Sequence, residues 1–413
     1  MAAAKRPARK PPPIEHGILL TATLCLLAGG AVMVYSASSA RDLLAGGGDG
    51  TSYLVRYAIY GGLGLLAMRF LSRHGLEAVR QATPVILLVA FAGLAAVMLP
   101  GIGVEVNGAR RWIGAGPIQF QPSELMKLAL VLYAVQLLAA QPRRVRSLKA
   151  IANPLLVIVA AACALVAVQP DLGTALVISF TMGALLVAAG VPLRYLALIA
   201  GVALLLVVAF SLAEPYRRAR LTAFLNPWAD AGGTGFQSVQ GQIALGSGGL
   251  LGLGLGQSVQ KVFYLPEAHT DFVLAVVGEE LGLAGIVGLL FLYGMIAFAG
   301  LRVARAARTP YEQLLAAGVT SLILAQATLN AFAVLGLAPL TGVPLPFISY
   351  GSSNLLVLLA GMGLLLNVAA GGQARLRAVP TRSSSHADSS RDRRRRDSRA
   401  RGARAGGRRR AAG

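Results

Sequence analysis

Glu267, His269 and Asp271 fall within five residues in the segment Tyr264-Leu-Pro-Glu-Ala-His-Thr-Asp-Phe272, in a chain that is only 13% charged and has four histidines. The segment sits where a polar, Gly-rich stretch meets an apolar run, which places Asp271 at the predicted N-terminus of a helix. Two roles suit a carboxylate there. With Thr270 beside it, Asp271 can cap the helix, satisfying free backbone N–H groups at the positive end of the dipole. A carboxylate held at a membrane surface can equally act as a general base on a sugar hydroxyl. Glu267 and His269 are either supporting neighbours of that acid or solvated loop residues. Polar chemistry gathered at a membrane surface suggests an enzyme whose substrate is itself half lipid.

Other ionisable groups are sparse and patterned. Glu124 and Lys127 are three apart on one helix face, a spacing that suits an ion pair, and charges at membrane depth face the protein interior. The pair is either a helix-positioning salt bridge or part of the polar site. Asp171, after Gln169-Pro170, is either a cap or an acid lining the same cavity. Glu279 and Glu280 stand more than two turns into the helix that Asp271 begins, so at least one must point toward protein or water. Pro344, Pro346, Ser349, Tyr350, Gly351, Ser352, Ser353 and Asn354 make a kinked polar segment before the last apolar run. Broken backbone at membrane depth is tolerated only where protein or a cavity covers it. Ser349, and Asn330 from the preceding helix, are therefore expected to wall a cavity.

The elements that must position these groups are membrane helices. The chain of 413 residues is 55% hydrophobic, with a mean hydropathy of +0.65. Unbroken apolar runs of about 20 residues without period-two alternation indicate spanning helices rather than a barrel. Spans are predicted near 17–36, 53–71, 84–100, 123–140, 152–169, 172–190, 192–212, 270–301, 312–337 and 352–370. Lys and Arg in short connections set the orientation. The N-terminal arm, Arg69, Arg73, Arg80, Arg143, Arg144, Arg146, Lys149, Arg194, Arg302, Arg305, Arg308 and the tail all fall on one side if both termini are cytoplasmic. Arg110, Arg111, Arg217, Arg218, Arg220 and Lys261 fall on the other. Arg pairs bidentately with phosphate oxygens. Any one of these residues could anchor lipid headgroups. As a set they point to a phosphate-bearing substrate in the outer leaflet, Arg111 foremost.

Residues 213–269 form a connection of a length that is usually functional. Its glycines lack the Gly-Lys-Ser/Thr of a phosphate loop, and Gly246 to Gly256 reads as a tight, closely packed turn. Phe224, Trp228, Phe236, Phe263 and Tyr264 suggest that the loop folds back onto the membrane surface. The chain thus divides into a basic arm at 1–13, a membrane domain at 14–370 and a tail at 371–413.

Of the net charge of +21, the tail supplies +11, with 14 Arg against three Asp. Its low complexity cannot bury a core, so it is expected to be disordered and to meet anionic lipid rather than nucleic acid. Cys25 and Cys163 lie in apolar runs and read as small hydrophobes rather than a disulfide. Lys5, Arg6, Arg9 and Lys10 before the run Ile18–Tyr35 resemble a signal peptide, but the length of that run and the spans that follow favour an uncleaved first helix.

Six motifs occur in order: Gly108-Ala-Arg-Arg-Trp-Ile113, Gln121-Pro-Ser-Glu-Leu-Met-Lys127, Gln169-Pro-Asp-Leu-Gly-Thr174, the segment Tyr264–Phe272, Gly278-Glu-Glu-Leu-Gly282 and Pro339-Leu-Thr-Gly-Val-Pro-Leu-Pro-Phe-Ile-Ser-Tyr-Gly351. Together they resemble the SEDS proteins, the FtsW/RodA/SpoVE group. Gln257-Ser-Val-Gln-Lys261 followed by Tyr264-Leu-Pro-Glu-Ala looks more like the division branch, FtsW, than the elongation branch, RodA. Two departures are small: Val273-Leu274 stands where Ile-Phe is usual, and Ser352-Ser353-Asn354 varies a Gly-Ser-Ser pattern.

The resemblance implies an all-α polytopic fold of about ten helices with a large extracytoplasmic loop between the seventh and eighth. It implies a peptidoglycan glycosyltransferase that polymerises lipid II at the outer face of the bacterial cytoplasmic membrane, during septal synthesis for the division branch. The donor would be the lipid-linked nascent glycan, with undecaprenyl pyrophosphate leaving, and the acceptor the GlcNAc 4-hydroxyl of an incoming lipid II. Asp271 matches the group's essential loop aspartate, and Glu124 and Lys127 match its ion pair. The implied partners are a class B penicillin-binding protein and other divisome proteins. Arg111, Lys261, Arg217, Arg218 and Arg220 are then candidates to hold the pyrophosphate, with Asp171, Glu267, His269, Asn330 and Ser349 around the cavity. A divalent cation, Mg or Mn, could assist the pyrophosphate, although no ligand cluster in the sequence establishes one.

Three readings compete. A flippase for the same lipid also needs an amphipathic cavity, and Glu279 and Glu280 are the residues that favour it. An elongation-type polymerase differs only in branch. A non-catalytic scaffold would leave the outer basic set and Asp271 without a purpose.

Overall fold

The computed structural model describes residues 13–44, 50–106, 108–115, 118–213, 215–263, 265 and 267–371. The basic arm before Pro13, Tyr264, Pro266 and the tail beyond Gly371 lie outside the described residues. Helices α1 (Ile14–Leu44), α2 (Ser52–Arg73) and α3 (Leu76–Val97) come first. Strands β1 (Gly103–Val106), β2 (Ala109–Ala115) and β3 (Ile118–Phe120) follow, and then α4 (Pro122–Ala140). A short α5 (Leu148–Ile151) leads through a π turn into α6 (Val157–Val168), α7 (Leu172–Ala188) and α8 (Leu193–Ala213). The long connection carries α9 (Pro215–Leu225), α10 (Phe236–Ser247) and α11 (Gln260–Phe263). The chain ends in α12 (Val273–Ala306), α13 (Pro310–Val334) and α14 (Ser352–Ala369).

Nine helices among the described residues are long and apolar enough to cross a membrane, and α7, at 17 residues, is apolar but shorter. Each of the ten expected spans coincides with one of these ten. Their starts follow from local chemistry. Pro122 and Pro310 occupy the first turns of α4 and α13, where a missing N–H costs nothing. Thr309 and Glu312 form a reciprocal capping box. Asp171 caps α7 by accepting from Thr174 N at 3.1 Å.

Burial sorts the helices. The apolar windows of α14, α13 and α4 are 83%, 72% and 67% buried, whereas no residue in that of α8 is buried, so α4, α13 and α14 are central and α8 is peripheral. α14 rests on α2 through glycines: a Cβ on Gly64 would press into Leu359, and one on Gly363 would meet the Met68 backbone. Small residues allow this close approach where apolar burial gives helices no preference for each other over lipid.

Two features were not expected. The α3–α4 connection is a three-stranded antiparallel sheet, with Ile113 opposite both Gly103 and Phe120. α12 is broken: Gly282 has φ 65° and ψ −161°. The Gly-rich stretch of the long loop repairs the break. Leu253 N and Gly254 N donate to the Glu279 and Glu280 carbonyls at 2.9 and 3.0 Å, and Leu283 N and Ala284 N donate to the Gly249 and Leu250 carbonyls at 3.0 and 3.1 Å. Four backbone groups beside the break thereby gain partners from the loop, as hydrocarbon surroundings require.

This pairing demands glycine. Gly252 has φ +81°, and a Cβ there would overlap the Glu280 carbonyl. Gly252→Ala is expected to destabilise the protein by about 3 kcal/mol through the left-handed backbone and the clash. A thermal unfolding scan in detergent checks this, and an unchanged midpoint would contradict the close approach.

Candidate active site

Asp271 lies one residue before the N-cap of α12, which is Phe272, and Phe272 makes no side-chain cap. The turn that carries Asp271 is held from behind, with Thr270 N donating to the Glu267 carbonyl at 3.1 Å and Phe272 buried to 2% exposure. From α13, Asn330 Nδ2 donates both to the Asp271 carbonyl at 2.7 Å and to the Val343 carbonyl at 2.8 Å. One amide therefore joins the start of α12 to the segment before α14. Asp271 Oδ2 lies against Gly342, 3.4 Å from where a Cβ would sit, and Gly342 has φ +68°. Asp271, Gln237, Asn330, Leu340, Thr341 and Gly342 line a cleft of about 40 Å³.

The irregular segment 343–350 is covered by protein, as its depth requires. The Pro344 carbonyl accepts from Gln326 Nε2 at 2.9 Å, that of Pro346 from the Tyr293 hydroxyl at 2.6 Å, and that of Phe347 from the Tyr57 hydroxyl. Ser349 Oγ accepts from Leu345 N at 2.8 Å, so Ser349 shapes the wall rather than lining it. Tyr350 N donates to the His269 carbonyl at 2.9 Å, which ties the wall to the Asp271 turn.

Glu124 and Lys127 form a buried ion pair at 2.8 Å. Lys127 also donates to Gln326 Oε1 at 2.7 Å, and Asn354 Nδ2 donates to Glu124 Oε2 at 2.7 Å. Because Gln326 also holds the Pro344 carbonyl, the pair braces the same wall from α4. Asp171 is both a cap and a brace: its carboxylate accepts from Thr174 Oγ1 at 2.8 Å and from Gln121 Nε2 at 3.1 Å.

Arg111, on β2, donates through Nε to the Gln169 carbonyl at 3.0 Å and through Nη2 to the Pro170 carbonyl. These bonds place a guanidinium at the Asp171 corner. Arg110, beside it, pairs with Glu105 at 3.2 Å.

The outer basic set does not act as one patch. Lys261 is 5% exposed, and its ammonium lies 2.6 Å from Glu280 Oε1 and 2.9 Å from Ser36 Oγ. It is turned into the protein and is withdrawn from the pyrophosphate candidates. Glu279 accepts from Ser258 Oγ and from Val259 N at 3.0 Å, so both glutamates fasten the loop to α12. Arg218, on α9, is exposed and donates to the Leu212 carbonyl at 2.9 Å. Arg217 and Arg220 share that helix, and their side chains lie outside the described residues.

Glu267 adopts φ +55° in the turn. The His269 ring packs 4.5 Å from Tyr53 and 5.7 Å from Tyr350. Burial raises the Tyr350 pKa above the phenol value despite a hydrogen bond and positive charge from Arg56, so this hydroxyl stays protonated near neutrality. Sequence reasoning missed Arg56. It stands near the start of α2, and no motif in the sequence singled it out.

Among the described residues no three His, Cys, Asp or Glu side chains are grouped to hold a metal ion. The donor set supplies at most isolated carboxylates, which does not fit a dedicated divalent site of several protein oxygens.

Fold and site together define a polytopic membrane protein in which one end of the helix bundle presents a carboxylate in a small polar cleft. The chain belongs to the FtsW/RodA/SpoVE family, described as cell cycle protein, whose family model matches residues 17–373. It is 39% identical to stage V sporulation protein E of Bacillus subtilis over 85% of this chain and 96% of that one. It is 41% identical to the probable peptidoglycan glycosyltransferase FtsW of Geobacter metallireducens over 85% and 93%. Among solved structures it is similar to RodA, the rod shape determining protein of Thermus thermophilus, with 29% identity and a TM-score of 0.61 over 85% of this chain and 95% of that one. It is also similar to a chain of the structure reported as "Structural coordination of polymerization and crosslinking by a peptidoglycan synthase complex", with 32% identity and a TM-score of 0.69 over 85% and 96%.

Proposed function

We propose that this protein is a peptidoglycan glycosyltransferase that polymerises lipid II at the outer face of the bacterial cytoplasmic membrane, in septal synthesis. The observation that carries the reading is Asp271, set in a polar cleft by a turn whose backbone is tied to both α13 and the segment before α14. Asp271 takes the proton from the acceptor sugar's 4-hydroxyl. The alkoxide so developed attacks the anomeric carbon of the lipid-linked glycan, and the bond from that carbon to the diphosphate oxygen breaks. Charge then grows on the diphosphate, where donors fixed in advance are most effective. Arg111 supplies a guanidinium already oriented by two carbonyls, and the basic helix α9 lies in the adjoining loop.

Both termini are then cytoplasmic, with the Arg-rich tail against anionic lipid, and the domain divisions are 1–13, 14–370 and 371–413. The transpeptidase partner is a class B penicillin-binding protein, a pairing consistent with the synthase complex among the structural relatives. The FtsW-named relatives favour the division branch. A flippase reading loses the two residues that favoured it, because Glu279 and Glu280 are engaged by the loop. The test is proteoliposomes holding this protein and its transpeptidase partner, supplied with lipid II on one face. Glycan polymer is the expected product. Lipid movement across the bilayer without polymer would replace this reading by the flippase.

A further inference from the structure

Asn330 has an oxygen with nothing to accept. Its Nδ2 serves two carbonyls, those of Asp271 and Val343. Only the nitrogen end of an amide can donate to both, so the side chain cannot be reversed and Oδ1 must face away from them. Asn330 is 2% exposed, and Oδ1 has no hydrogen-bond partner. Thr341 is only half-buried, but its Oγ1 is likewise buried and without a partner. Six buried side-chain polar atoms among the described residues lack a partner, and these two belong to residues that line the cleft containing Asp271. A buried polar atom left unpaired costs about 1–3 kcal/mol. Two around one cleft, beside the candidate base, point to a ligand that completes them.

The chemistry of the pair selects the ligand group. Asn330 Oδ1 can only accept, so it requires an O–H or N–H and disfavours a phosphate or carboxylate oxygen. Thr341 Oγ can donate as well as accept. A hydroxyl satisfies both at once, giving its hydrogen to Asn330 and taking one from Thr341. An amide N–H satisfies only the first. The cleft, at about 40 Å³, has room for a hydroxyl group, since one water needs about 10–15 Å³ on the same measure.

We propose that Asn330 Oδ1 and Thr341 Oγ1 form a subsite for the acceptor sugar's 3-hydroxyl, the neighbour of the hydroxyl that Asp271 deprotonates. The inference rests on the polymerase reading above. Asn330 then works at both ends: its nitrogen sets the Asp271 turn and its oxygen sets the sugar, so base and nucleophile share one reference point. This register is how positioning turns into rate.

The test is a cycle of polymerisation kinetics in proteoliposomes, using wild type, Thr341→Val and Thr341→Ser with ordinary acceptor lipid II and its 3-deoxy analogue. Thr341→Val keeps the shape and removes the hydroxyl. Its KM for the ordinary acceptor should rise about fivefold, the equivalent of one ordinary hydrogen bond, with kcat changed less and with Thr341→Ser restoring the wild-type value. On the 3-deoxy acceptor, wild type and Thr341→Val should agree within about twofold, because the interaction is already gone. Multiplying losses, or an unchanged KM for Thr341→Val on the ordinary acceptor, would overturn the subsite while wild-type polymer upholds the enzyme. No polymer from wild type would overturn the enzyme reading and the subsite with it.

Discussion

Asp271→Asn should lower the rate of glycan polymerisation by about 10²- to 10⁴-fold, the usual contribution of a general base, and leave the protein folded. The second half of this expectation follows from what holds the residue. The Asn330 bond is made to the Asp271 backbone carbonyl, which the substitution does not alter. Asparagine caps a helix as well as aspartate does, so the substitution should cost the start of α12 little stability. Asparagine also matches aspartate in size beside Gly342. Initial polymerisation rates and thermal unfolding should therefore separate, with activity lost and the midpoint kept. Polymer at the wild-type rate would remove Asp271 from the reaction. A lowered midpoint would return it to a structural role.

The helices were legible because lipid leaves the chain few choices. A span must be apolar for about 20 residues and must satisfy its own backbone, so all ten could be placed from hydropathy alone. Asp271, Glu124, Lys127 and Asp171 were legible for the converse reason, since a charge in such a sequence stands out. The sheet at 103–120 was not, because its strands run only three to seven residues and mix polar with apolar types. The position of Asp271 outside the α12 cap turned on one residue of helix boundary, finer than periodicity resolves.

Lys261 was misplaced for a deeper reason. A lysine in a Gly-rich loop beyond a membrane span reads as exposed. Its burial depends on the loop re-entering at a break in α12, and Gly282 is one of six glycines in that helix, so the sequence does not mark the break. Thr341 was overlooked because its polarity shows only when the Asp271 turn and Asn330 are brought beside it.

Lys261→Met should destabilise the protein by about 3–5 kcal/mol, the range for removing one partner of a buried ion pair. Glu280 is wholly buried, and its carboxylate is held by the lysine and by Ser36 Oγ at 2.7 and 2.8 Å. Without the ammonium that charge has one hydroxyl for company. It also sits where Glu280 O accepts from the loop, so strain there reaches the pairing that closes the break in α12. The eight residues between Asp271 and Glu280 include the buried first turns of α12, so a loosened break should also blunt activity. Lys261→Met combined with Glu280→Met tests the cause. It removes both charges and should recover most of the lost stability, since apolar replacements of a buried pair are often neutral. Unfolding midpoints supply the coupling, and additive losses would mean that the two residues do not act as a pair. Polymerisation by the same double variant then decides what the pair is for. Recovery of activity along with stability makes the pair a clamp on the loop and nothing more. Recovery of stability alone would bring Lys261 back among the groups that receive the leaving diphosphate, through a conformation in which α11 releases it from Glu280.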